Sequence, residues 1–267
     1  MTILVQISDL HIREHGKIAY GVLDTATYLD QTVKTLLRLP QAPDAVIVTG
    51  DLADSGSLDD YARVQHLLSR LNVPLYLMPG NHDDRANLRT AFPAHTYLGN
   101  SGFIQYTARV GELHVVALDT TEPGQEAGAL CTERLDWLNS TLNALSGQPV
   151  IVAMHHPPFN TLIGHMDAIG LRAGTNELET LIARHPNVQR IICGHLHRAI
   201  ETCFGGTLAS ICPAPAHQIT FDLHPQAPAT WILEPPAFRV HVWDAQSKRL
   251  ISHLVPVGQF DGPHPFD

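Results

Sequence analysis

With 267 residues, 44% hydrophobic and 16% charged, the chain can bury a substantial core, and the low hydrophobicity and high net charge of a disordered protein are excluded. A formal charge of −9 disfavours long polyanions such as duplex DNA, because phosphate backbones are held by Lys and Arg; no nucleic-acid polymer is expected as a partner. No apolar run approaches the roughly 18 residues of a membrane span, so no membrane partner is expected either.

In chain order, the opening "MTILVQISDLH" lacks a basic start, a long apolar region and a small-residue cleavage site. It predicts a first strand, not a secretory signal, and with it a cytoplasmic protein. "YLDQTVKTLLRL" has helical periodicity, "AVIVTG" reads as a strand, and "LDDYARVQHLLSRL" as a helix capped by Ser57. "PLYLMPG" is a further strand, and residues 103–119 form a hairpin turned at Gly111. A helix capped by Thr132 before Leu135 and Leu138, the strand "PVIVAMHH", the helix "NELETLIARH" and the strand "VQRIICGH" follow. Strands alternating with helices predict a layered α/β fold, and the hairpin makes its sheets mixed.

From about Ala199 the texture becomes short strands between Gly and Pro clusters. Residues 1–200 are therefore read as the core carrying the chemistry. Residues 201–267 are read as β-rich, completing the sheet and then forming a cap or oligomerisation segment, with "WILEPPAFRVHVW" offering exposed apolar area. The tail "GQFDGPHPFD" has little strand or helix signal. Four cysteines without CxxC spacing read as buried thiols.

Chemistry collects at the strand ends. The chain delivers Asp9 and His11 after the first strand, Gly50 and Asp51 after the second, and Gly80, Asn81, His82 and Asp83 after the third. His155 and His156 follow a later strand, and Gly194, His195 and His197 the last. Ligands gather at such carboxyl ends in open α/β sheets. In extended backbone, positions i and i+2 face one side, so Asp9 with His11, and His195 with His197, can converge. Singly, each residue has an ordinary reading as a cap, a turn residue or a packed histidine. Recurrence at five strand ends points to a metal site, consistent with histidines numbering 17, as many as Lys and Arg together.

The ordered motifs "DLH", "GDLADSG", "GNHDD", "MHHPP" and "GHLH", spanning residues 9–197, resemble those of the calcineurin-like metallophosphoesterase superfamily. With "APAHQI" and "GPHPF" they look most like bacterial class III cyclic-nucleotide phosphodiesterases and glycerophosphodiesterases. The resemblance implies a four-layer α/β/β/α sandwich and two metal ions. One would take Asp9, His11, Asp51 and His197; the other would take Asp51, Asn81, His155 and His195, with Asp51 as the bridge. Oxygen and imidazole donors without thiolate suit Mn, Fe, Zn or Co. Two such ions can clamp both oxygens of a phosphoryl displacement, and a metal-bound hydroxide is the implied nucleophile.

In the same pattern His82 is an acid or transition-state stabiliser at the leaving oxygen, and Asp54 orients it. Asp83 has no assigned role, and His156 supports His155. The matching motif of serine/threonine phosphatases has Arg where this chain has Ser55; loss of that bidentate contact favours a diester over a dianionic monoester. Arg13, Arg85 or Arg198 could still supply the missing charge. Substrate contacts are expected from Asn81, His82 and His195, from His165, with Asn160 and Asp167, in the loop of residues 160–174, and from His217. A small phosphodiester, either a cyclic nucleotide or a glycerophosphodiester, is the expected substrate, and a homodimer or larger homo-oligomer the expected assembly. A monoesterase, a nuclease and a non-catalytic scaffold of the same fold are the alternatives.

Overall fold

The structure, a computed structural model, describes residues 1–267. In chain order the elements are β1 (Thr2–Ile7), α1 (Thr25–Leu36), β2 (Ala45–Thr49), α2 (Leu58–Leu68), β3 (Leu75–Met78) and α3 (Arg85–Ala91). Next come the hairpin β4 (Tyr106–Val110) and β5 (Leu113–Leu118), then β6 (Gly128–Ala129), α4 (Thr132–Ala144), β7 (Val150–Met154), α5 (Gly164–Asp167) and β8 (Leu171–Ala173). The remainder is α6 (Thr175–Ala183), β9 (Val188–Cys193), β10 (Ile200–Phe204), β11 (Thr207–Ile211), β12 (Gln218–Ile219), β13 (Trp231–Ile232), β14 (Ala237–Asp244) and β15 (Arg249–Pro256).

Two mixed sheets carry the fold, with strand orders β15-β14-β1-β2-β3 and β10-β11-β9-β7-β5-β4. β1, β2 and β3 are parallel, and β14 joins β1 antiparallel. β5, β7, β9 and β11 are parallel, with β4 and β10 antiparallel at the edges. The all-buried runs of β1, β2 and β7 are what strands covered on both faces require. One core, containing Val5, Ile47, Val115, Ile151 and Phe238, fills the space between the sheets and reaches under α1 and α2 through Leu29, Val33 and Val64. A second, containing Leu138, Leu142, Leu178, Ile182 and Ile191, packs α4 and α6 on the other sheet. The result is the layered α/β/β/α arrangement, with one β-strand terminus of each sheet opening on the same mouth.

Several local expectations are met and others corrected. Ser57 caps α2 by accepting from the Asp60 amide. Thr132 does not cap α4: the N-cap is Cys131, whose backbone is extended, so Thr132 is already the first helical residue. α3 escaped the periodicity reading because it is short; Asp84 caps it by accepting from the Asn87 amide. Only Cys193 and Cys212 are buried, whereas Cys131 and Cys203 are exposed. The segment expected to expose apolar area does so only in its first half, at Ile232, Leu233 and Pro235, because β14 is an inner strand that buries Phe238, Val240 and Trp243. No helix is long and apolar enough to cross a membrane.

Candidate active site and metal centre

The three parallel strands of the five-stranded sheet deliver Asp9, His11, Asp51, Asn81 and His82, while β7 and β9 of the other sheet deliver His155, His195 and His197. Asp9, His11, Asp51, His155, His195 and His197 are each at most 4% exposed. Their convergence has a different origin from strand alternation. Asp9, His11, Asp51, His195 and His197 have φ between 44° and 74°, so five of the eight non-glycine residues with positive φ are these candidate ligands. Left-handed backbone is costly for side-chain-bearing residues and is held only where the surroundings over-determine it. Here each strand breaks sharply at its end and turns its ligand inward. Close approach adds to this: Gly50 has φ 94°, and a Cβ there would collide with the His155 ring. A Cβ at Gly194 would strike Ser8 and crowd Asp9.

The donor set fits cations. His197 Nδ1 donates to the His217 carbonyl (3.0 Å), and His11 Nδ1 donates to Asp54 Oδ1 (3.2 Å). Both Nε2 lone pairs therefore face each other at 3.2 Å, with Asp51 Oδ2 3.5 Å from His11 and Asp9 Oδ1 3.7 Å from His197. Facing lone pairs and carboxylates repel unless a positive charge lies among them. A second grouping repeats the pattern. His155 Nδ1 donates to the Thr49 carbonyl (2.9 Å), turning Nε2 toward Asn81 Oδ1 (3.0 Å) and Asp51 Oδ2 (3.4 Å). His195 Nδ1 lies 3.1 Å from the same Asn81 oxygen. Asp51 touches both groupings, and His195 and His197 belong to different ones. Asp9 Oδ2 is buried without a partner.

The electrostatics of these buried groups make the same demand for charge. Burial pushes Asp9 up to about 6, against the pull of His155. Burial also opposes ionisation of Asp51, yet His155, His82 and His11 outweigh it and hold Asp51 well below the usual carboxylate range. Burial would lower His155, but Asp51 and Asp9 raise it to about 9. A proton on that ring or a metal cation answers the same field. Burial, with His155 beside it, takes His195 down to about 3, leaving it a neutral donor.

His82 donates its Nδ1–H to the backbone carbonyl of Asp54 at 2.8 Å and donates its backbone amide to Asp51 Oδ1. The orienting group is thus the Asp54 carbonyl, not its carboxylate, which is 4.0 Å from His82 Nδ1 and instead holds His11 and Arg13. Asp83, unassigned from sequence, accepts from the amides of Leu52, Ala53 and Gly80 and from the Tyr61 hydroxyl. It ties the turns after β2 and β3 together. His156 lies near His155 and His195, but its nitrogens are committed to the Thr120 hydroxyl and the Glu126 carbonyl.

A cavity of about 410 Å³ opens over this floor, lined by His11, Asp51, Asn81, His82, His195 and His197 and walled by Tyr20, Glu126, His165, Met166, Ile169, His217, Ile219, Ala229, Thr230 and Trp231. His165 and His217 thus join the site. Asn160 and Asp167 instead line a neighbouring cleft, where Asp167 accepts from Thr161 and Leu162 and shapes the loop. Tyr20, Glu126 and Trp231 come from irregular or two-residue elements that carry no motif.

No Lys or Arg lines the cavity. Ser55 donates to Asp60, and each arginine considered as a substitute is spent elsewhere. Arg13 pairs with Asp54 (2.9 Å), Arg85 forms a fork on Asp119 (2.7 and 2.9 Å), and Arg198 pairs with Glu234 (2.8 Å).

Comparison with known proteins accords with this geometry. The chain is 36% identical over 265 residues to a probable cyclic nucleotide phosphodiesterase of Rhodopseudomonas palustris, covering 97% of this chain and 93% of that one. It is 33% identical over 264 residues to a probable glycerophosphodiester phosphodiesterase of Arcobacter nitrofigilis, covering 99% and 96%. Among solved structures, a dimetal phosphatase from Danio rerio superposes with a TM-score of 0.68 over 97% of both chains at 14% identity, a likeness of fold. Residues 2–199, which contain every candidate ligand, match the calcineurin-like phosphoesterase family, and the chain is a member of that family of metal-dependent phosphoesterases.

Proposed function

We propose that the protein is a dinuclear metal-dependent phosphodiesterase acting on small diesters, cyclic nucleotides or glycerophosphodiesters. The observation that carries this reading is the cavity floor of imidazole and carboxylate donors with no Lys or Arg beside it. A phosphomonoester dianion is best met by a cation pair plus a guanidinium fork, whereas the single charge of a diester needs no fork. The names of the relatives, covering glycerophosphodiester and cyclic nucleotide phosphodiesterases, support the same class.

Asp9, His11, Asp51 and His197 would hold one cation, and Asp51, Asn81, His155 and His195 the other. Mn, Fe, Zn and Co suit this donor set. When bound, such a pair supplies Lewis-acid charge neutralisation and lowers the pKa of water to about 7. The protein's own groups do the rest. The Asp54 and His217 carbonyl contacts orient His82 and His197. His82, with its Nδ1–H held by the Asp54 carbonyl, can act as an acid only as the imidazolium, passing its Nε2 proton to the leaving alkoxide in the cavity and becoming the neutral ring.

The test is hydrolysis of bis(p-nitrophenyl) phosphate and p-nitrophenyl phosphate by metal-stripped and Mn-reconstituted protein. Metal-dependent preference for the diester is the expected result. A preference for the monoester would replace the reading with a phosphatase, and inactivity on both after confirmed metal loading would count against it.

A further inference from the structure

The outer wall of the cavity has a chemistry of its own. β12 and β13 pair antiparallel with Ile219 opposite Trp231, which sets the indole over the mouth. Tyr20 stacks on Trp231 with ring centroids 5.8 Å apart and an interplanar angle of 29°. His217 meets both rings edge-on, at 5.1 and 5.8 Å, and receives the Tyr20 hydroxyl at 3.2 Å. The wall also includes Met166, in α5, and Ile169.

Among the wall's polar side chains, which include Tyr20, Glu126 and Thr230, the two imidazoles hold atoms without a partner. Both ring nitrogens of His165 are buried without a partner, as is Nδ1 of His217, a residue 1% exposed. Buried polar atoms in native proteins are normally paired, and leaving one unpaired is costly, so three such nitrogens around one cavity point to a ligand that pairs them. A glycerol arm could pair its hydroxyls with those nitrogens but has no apolar face to cover the indole, thioether and aliphatic carbon beside them. A flat heteroaromatic ring gains on both counts: its faces stack on aromatic and apolar side chains, and its edge offers donors and acceptors to an imidazole.

Resting on the phosphodiesterase reading, we propose that this wall is a subsite for the nucleobase of a cyclic nucleotide. Trp231 and Tyr20 supply the stacking face, Met166 and Ile169 the apolar packing, and His165 the bond to the base edge. Trp231 is then a specificity-determining residue that acts on the distal half of the substrate.

The test compares cyclic AMP with glycerophosphoethanolamine in Mn-loaded wild type, Trp231→Ala and Trp231→Phe. The expected result is that the ratio of the two kcat/KM values, cyclic AMP over glycerophosphoethanolamine, falls about 10-fold or more in the alanine variant, through KM, and is largely restored by Phe. A ratio within twofold of wild type in the alanine variant would overturn the subsite. Saturation-transfer NMR with adenosine on metal-free protein separates the two proposals, since it needs neither phosphate nor turnover. Saturation of the base protons by wild type and Trp231→Phe, lost in Trp231→Ala, supports the subsite even if the diesterase reading fails. Absence of transfer in wild type, or equal transfer in the alanine variant, rejects it even where diesters are cleaved.

Discussion

On the cavity floor, six candidate ligand side chains are each at most 4% exposed, and five of them sit on left-handed backbone at strand ends shared between two sheets. On the wall, Tyr20 is 52% exposed, and Trp231 hangs from a pair of two-residue strands. Fixed geometry matters most where charge develops, because preorganised groups need not reorganise during reaction. A surface that only recognises the distal part of a substrate tolerates looser construction, and loops supply it. The contrast matches the proposed division, with chemistry on the floor and selectivity on the wall.

The most severe way to break the floor is Asp51→Asn, since Asp51 touches both ligand groupings. Metal analysis should find loss at both sites, and kcat/KM should fall by about 10³-fold or more, given the several kcal/mol that metal ions contribute to the transition state. Two ions per chain in that variant would disprove the bridge. His82→Ala should keep its metals yet lose about 10²-fold or more in turnover, most for leaving groups that need protonation. Equal losses across a leaving-group series would exclude the acid role.

Asp54→Asn probes the layer just beneath. Because its carboxylate holds His11 Nδ1 while its carbonyl holds His82, the substitution should weaken metal retention by about 10- to 100-fold with the leaving-group dependence unchanged. A steeper leaving-group dependence would return the carboxylate to His82. The gentlest test sharpens the wall. Arg198 donates to the Ile219 carbonyl at 2.7 Å and pairs with Glu234, latching β12 to the segment after β13. Arg198→Ala should cost roughly 1.5–3 kcal/mol of local stability. Amide exchange should then accelerate over residues 218–234 and not over β7, and acceleration over both would show that wall and floor open together.

The two regions also differed in how far they could be read from sequence. Each floor ligand follows an apolar run by one to four residues, so local pattern alone located the set, and the family resemblance paired its members. What sequence missed there was conformational: Asp9, His11, His195 and His197 were assigned to extended backbone, and alternation says nothing about a chain that turns left-handed at the strand end. Asp54 was connected to His82 without the contacting group, because a motif names a residue without saying whether its side chain or its carbonyl makes the contact. The wall was nearly illegible. Tyr20, Met166 and Trp231 are 211 residues apart from first to last and meet only through the tertiary fold, and no spacing rule relates them. His165 and His217 were named as candidates, but the unpartnered state of their nitrogens emerges only from packing.

The placement of β14 beside β1 has a consequence in time. β1 carries the first candidate ligands, Asp9 and His11, at its end, yet its antiparallel neighbour comprises residues 237–244. During synthesis, which proceeds at about 5–20 residues per second, β1 can pair with β2 early but must leave its other edge open until residues 237–244 emerge. The buried contact of His241 with Gln6 forms only then. The first ligands to leave the ribosome are therefore among the last to have their strand locked on both sides, and a nascent chain arrested near residue 200 would present a bare β1 edge, open to wrong strand partners and to chaperones that shield them.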